Sequence, residues 1–112
     1  MKSYTDISQS KKLAEILPLE SADMGWYYSH NPQDARNQMW AGTKSGNADI
    51  PCWSLAALLN VLPEPELIQN SDERWMLRIW DKNRFPWSIG GSVNPVDACY
   101  ELILKLHEQN LL

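Results

Sequence analysis

The chain has 112 residues, 44% of them apolar and 21% charged, with a net charge of −4, which suits one folded domain burying roughly two-thirds of its unfolded surface in a single core. The negative balance argues against a broad footprint on duplex DNA or an anionic membrane. The polar residues 1–6 lead into no apolar signal core, and no apolar run nears the ~18 residues of a membrane span, so a cytoplasmic protein is expected.

Thr5 is the expected cap of a first helix over residues 5–17, with Ile7, Leu13, Ala14 and Leu17 on one side and Pro18 as the stop. Residues 24–28 are aromatic and read as a short strand. A polar stretch then spans 29–49, with Met39 and Trp40 as its local anchor. A long loop is expected there, and structureless segments of that length are uncommon in compact domains and tend to be either functional or disordered.

Residues 51–62 read as a buried helix. Pro51 suits its first turn. Leu55, Leu58, Leu59 and Leu62 form one stripe, and Pro63 and Pro65 end it. Leu67 and Ile68 begin a short strand. A clearer one runs over 74–80, where Trp75, Leu77 and Ile79 point inward and Arg74, Met76, Arg78 and Trp80 point outward. A polar turn at 81–84 leads to a return strand at 85–89, where Pro86 implies an edge or a bulge. Gly90, Gly91 and Ser92 read as a turn.

The last helix, 95–109, carries the strongest signals: Asn94 as cap, Pro95 at the first helical position, and Asp97 against the macrodipole. Its apolar arc is roughly 200° wide, beyond a one-face helix. It should therefore pack on the sheet and also on the 51–62 helix or a second subunit. The expected fold is α+β: about three helices on a small, mostly antiparallel sheet, in one domain spanning 1–112.

Two stretches resemble a known group of proteins. Ile50-Pro51-Cys52-Trp53-Ser54-Leu55-Ala56-Ala57-Leu58-Leu59 and Asn94-Pro95-Val96-Asp97-Ala98-Cys99-Tyr100 are similar to segments of short uncharacterised proteins encoded by gut anaerobic bacteria and their phages and mobile elements. The likeness covers about a third of the chain and implies an accessory intracellular role. It carries over no functional residue.

Catalytic and metal motifs are sparse. His30 reads as a solvated turn residue and His107 as a packed one. No HExxH or CxxC occurs, and no metal, cofactor or catalytic residue is assigned. Cys52 and Cys99 lie among apolar neighbours, as buried reduced thiols do. Cys52 beside a helix start, with His30 as base, is the least remote nucleophile. The Gly90–Ser92 turn lacks the lysine and spacing of a phosphate loop. The paired acids Glu64 and Glu66, Asp72 and Glu73, and Asp97 and Glu101 read as solvated faces, with Glu101 and Lys105 one helical turn apart.

One constellation remains. Arg74, Arg78, Lys82 and Arg84 interleave with Trp75, Trp80, Phe85 and Trp87. Basic and aromatic side chains on a sheet serve single-stranded nucleic acid binders. They also build protein interfaces, where Trp, Tyr and Arg dominate. Asp72, Glu73 and Asp81 nearly cancel the charge, which favours a protein partner and makes nucleic acid the alternative. The expectation is therefore a non-enzymatic module for protein binding or self-association, as a homodimer, with Arg74, Met76, Arg78 and Trp80 as contact residues. A small enzyme with a cysteine nucleophile is the further alternative.

Overall fold

A computed structural model describes residues 2–28, 39–44, 48–70, 72–92 and 94–112. The first helix, α1 (Ile7–Ala14), starts later than expected because Asp6 is its cap. Asp6 Oδ1 accepts from the Gln9 backbone N–H at 2.8 Å, and Gln9 Oε1 accepts from the Asp6 N–H at 3.1 Å. This reciprocal capping box satisfies two otherwise unpaired donors. Thr5 is buried instead, its hydroxyl 2.7 Å from Ser10 Oγ and accepting the Trp53 N–H at 3.2 Å. The chain leaves α1 through a tight turn before Pro18, and Leu13 and Leu17 are buried as expected.

β1 (Met24–Tyr28) matches its predicted span and is the centre of a three-stranded antiparallel sheet. Its neighbours are β2 (Met39–Thr43) and β3 (Ile50–Cys52), with Trp26 opposite both Ala41 and Ile50. β2 lies inside the expected 29–49 loop, which is therefore not continuous. The rest of that loop, 29–38 and 45–47, falls outside the described residues. Pro51 is part of β3 rather than of a helix. An edge strand tolerates proline because its outward N–H needs no partner. The helix α2 (Leu55–Val61) begins four residues later than Pro51, capped by Ser54, whose Oγ accepts from the Ala57 N–H at 3.2 Å.

The second sheet is also antiparallel: β4 (Glu66–Gln69), β5 (Trp75–Trp80) and β6 (Pro86–Ser92), with β5 central. Pro86 is on an edge strand, as expected. Gly90, Gly91 and Ser92 continue β6 instead of turning. Leu77 faces Ile89 while Trp75 faces Ser92, so β6 holds one extra residue there. That is a bulge, and glycine accommodates it readily.

α3 (Pro95–Glu108) has the predicted cap, with Asn94 Oδ1 accepting the Val96 N–H at 2.8 Å. Its wide apolar arc is met within the chain by α2 on one side and by β5 and β6 on the other. Val96, Cys99, Leu102, Ile103 and Leu106 are fully buried there. His107 is exposed, not packed. The helices and the inner face of the second sheet share one core with Trp53, Leu77 and Ile79. The first sheet is tied on differently, through α1 and residues 3–5: Thr5 N–H donates to Trp53 O at 2.9 Å, and Leu55 N–H to Ser3 O at 3.0 Å.

The fold is thus α+β, as expected, with its strands divided between two sheets. The molecule measures 51 × 32 × 19 Å. A 19 Å axis accommodates two layers of secondary structure, since packed layers sit about 10 Å apart. The outer face of the second sheet carries Met76, Arg78 and Trp80, each partly exposed.

Candidate contact surface

Strand β5 positions the candidate residues by its alternation. Leu77 and Ile79 are fully buried under the helices, while Met76, Arg78 and Trp80 are half-buried on the other face. The antiparallel register sets their neighbours: Ile68 opposite Met76, Glu66 and Ser88 flanking Arg78, and Pro86 opposite Trp80. Arg78 Nε donates to Glu66 Oε2 at 2.8 Å, and Nη2 donates to the same oxygen. Its guanidinium carbon lies 5.9 Å from the Trp80 ring centroid, within cation–π range. Arg78 is therefore held from two sides. Arg74 precedes the strand, exposed, 3.7 Å from Asp72.

Trp75 departs from expectation. It is half-buried and not part of the shared core. The bulge opposite it interrupts the alternation on which an inward position was predicted. Trp87 takes the inward role, packing against the core from β6. The four aromatics of the hairpin therefore do not share a face: Trp80 lies outward, Trp87 inward, and Phe85 stands 67% exposed.

Asp81 is buried rather than solvated. It accepts from Trp87 Nε1 at 2.7 Å, the Asn83 N–H at 2.8 Å and the Phe85 N–H at 3.0 Å. The Trp87 hydrogen bond foremost, with the backbone donors, holds its carboxyl below the usual range. Asp81 thus organises the turn, and the arginines find other counter-ions: Glu66 for Arg78, Asp72 for Arg74, and Glu64 for Arg84 at 3.8 Å. Glu64 and Arg84 both adopt positive φ, 45° and 66°. They border an open pocket of about 280 Å³, also lined by Pro63, Trp80, Lys82 and Leu111.

The nucleophile candidate has the wrong surroundings. Cys52 is fully buried, and that burial foremost pushes its thiol up from the ordinary value despite the Thr5 and Ser10 hydroxyls nearby. An activated thiolate needs the opposite shift. His30 lies outside the described residues. Cys99 is pushed up to about 12 by burial, and both thiols are free. Among the described residues no three His, Cys, Asp or Glu side chains converge as metal ligands, and no helix is long and apolar enough to cross a membrane.

Two features were not read from the sequence. Trp40 on β2 is 55% exposed and stacks on Tyr27, with ring centroids 4.7 Å apart. Its signal was the isolated Met39-Trp40 pair in a polar tract. Lys2 donates to Asp97 at 2.8 Å and Gln9 at 2.7 Å, joining the starts of α1 and α3. No local pattern foreshadows a bond between residues so far apart in the chain. Comparison with protein-family models, curated proteins and solved structures gave no match.

Proposed function

We propose that the chain is a small, non-enzymatic accessory module of the cytoplasm that binds a partner protein through the outer face of the second sheet. Arg78 and Trp80 form the centre of that surface, with Met76 and Arg74 beside them. The carrying observation is that Arg78 is held by Glu66 and laid against Trp80 on a face where Met76, Arg78 and Trp80 all remain partly exposed. Arginine and tryptophan dominate binding hot spots, and a side chain already ordered loses less entropy on association. Half-exposed Met76 and exposed Ile68 supply apolar area around them.

The charge pattern favours protein over nucleic acid. Arg74, Arg78 and Arg84 each sit beside a carboxylate, which leaves little positive potential for a phosphate backbone. The hairpin aromatics split between two faces and so supply no continuous stacking platform. Two buried free thiols suit a reducing compartment.

Affinity capture from native cell extract tests this reading, with wild type, Trp80→Ala and Lys105→Ala as parallel baits. Wild type and Lys105→Ala should retain the same partner. Trp80→Ala should weaken it by ~2 kcal/mol or more while keeping a cooperative melt. A partner bound equally by Trp80→Ala would place the contact elsewhere. Binding that collapses steeply with salt and competes with single-stranded oligonucleotides would favour nucleic acid.

A further inference from the structure

Among the described residues the two sheets present four edges, and three of them are blunted. β3 is three residues long with Pro51 at its middle. β4 is four residues long, follows Pro65 and starts on charged Glu66. β6 carries Pro86 and the Gly90–Gly91 bulge. These are the usual devices that stop an edge strand from recruiting another chain. β2 has none of them. Met39-Trp40-Ala41-Gly42-Thr43 holds no proline and no charge, its register against β1 is unbroken, and among the described residues it ends its sheet.

The side chains of β2 are also complementary in size to their own reversed order. In an antiparallel pairing centred on Ala41, Trp40 lies opposite Gly42 of the second copy, and Gly42 opposite its Trp40. Both share one face with Tyr27 and Gly25, because Tyr27 pairs with Trp40 and Gly25 with Gly42. Within one chain Trp40 already leans over its own Gly42: a Cβ there would come within 2.8 Å of Trp40 Cζ3. Across the joined sheet, one row reads Tyr27, Trp40, then Gly42 and Gly25 of the second copy. The adjacent row repeats it in reverse. In the pair each Trp40 ring therefore lies over the Gly42 of its own strand and beside the Trp40 of the second copy, and no like charges meet within the five residues.

We propose that two copies pair β2 against β2 about a two-fold axis at Ala41, merging two three-stranded sheets into one continuous sheet. Closed two-fold pairing is the commonest form of self-association, and strand addition at an open edge is an established way to supply it. This surface lies on the other sheet from Arg78 and Trp80, so the two contacts are independent.

Sedimentation of wild type at micromolar concentrations tests the pairing, together with cysteine crosslinking. On the axis, Ala41 would sit about 4.5–5.5 Å from its symmetry mate, Cα to Cα, inside disulfide range. Thr43 would be four residues from its own mate, about 13 Å along the strand. Cys52 and Cys99 are buried and stay out of the exchange. Wild type should sediment as a dimer. Ala41→Cys should crosslink in a glutathione redox buffer and Thr43→Cys should not. Trp40→Ala should raise the dimer dissociation constant at least tenfold, and Trp80→Ala should leave it unchanged. Monomeric wild type, or a dimer in which Thr43→Cys crosslinks as readily as Ala41→Cys, overturns the proposal. So does a dimer sensitive to Trp80→Ala and indifferent to Trp40→Ala.

Discussion

Asp97 connects the starts of two helices. It sits in the first turn of α3 and accepts from Lys2 and from Gln9 Nε2, both at 2.8 Å. Burial alone would raise its carboxyl, but the Lys2 and Gln9 hydrogen bonds outweigh that and bring it below the ordinary 3.8. Desolvation opposes the charge on Lys2 too, yet Asp97 and Asp6 raise its amine above 10.5. A depressed carboxyl adds stability that is complete above the unfolded value and vanishes as pH falls through the folded one. A raised amine adds stability that is complete below 10.5 and fades as pH climbs through its folded value. Asp97→Asn should therefore melt below wild type at neutral pH, by under about 1 kcal/mol for a partly exposed pair. Melting curves across a pH series should show that gap closing as pH drops past 3.8. A gap that persists in acid would mean the lost contribution is packing, not charge.

At the scale of elements, legibility followed range. α3 was read correctly because Asn94, Pro95 and Asp97 act within one turn of each other. β5 was read because Leu77 and Ile79 alternate with Met76 and Arg78. β2 was not, because Ala41 and Gly42 carry weak strand preference and its pairing with β1 leaves no local signal. Pro51 was assigned to a helix because its fixed φ fits both a first turn and an edge strand, and only β1 decides between them. Trp75 was misplaced by a bulge that originates in the facing strand. Of the candidate contact residues, the alternating faces of Met76, Arg78 and Trp80 were legible, but the clamp of Glu66 on Arg78 depends on a register that no local pattern carries. Two glycines separate these influences. A Cβ at Gly25 would stand 2.5 Å from Ala48 Cβ, whereas one at Gly90 meets nothing within 4 Å. Gly25→Ala should lower the melting temperature clearly. Gly90→Ala should stay within about 0.5 kcal/mol of wild type in denaturant melts. Equal effects would mean that the close approach at Gly25 is not structural.

The whole molecule is held by two unequal systems. The helices and the second sheet share a continuous apolar core, while the first sheet rests on α1 through a buried polar set of Thr5, Ser10 and Cys52 and the Trp26 ring, whose Nε1 donates to Thr5 O and Ser10 Oγ, both at 3.2 Å. Regions with fewer buried apolar contacts open at lower free energy. Amide exchange should therefore be slowest in α3 and β5 and measurably faster in β1 and β2. Uniform protection across both sheets would show a single cooperative unit. If β2 pairs with a second copy, its protection should rise with protein concentration while that of β5 does not.

The six tryptophans sit at graded depths, from Trp53, fully enclosed and donating to Ser21 Oγ at 3.0 Å, to Trp40 on the surface. The protein thus carries its own optical depth gauge. Trp53 emits from a dry environment, Trp40 from one open to iodide, and the other four from between these limits. Intrinsic emission is therefore a composite, and its quenchable fraction is weighted toward the first sheet. A shift in total fluorescence cannot be assigned to unfolding until the contribution of Trp40 has been subtracted.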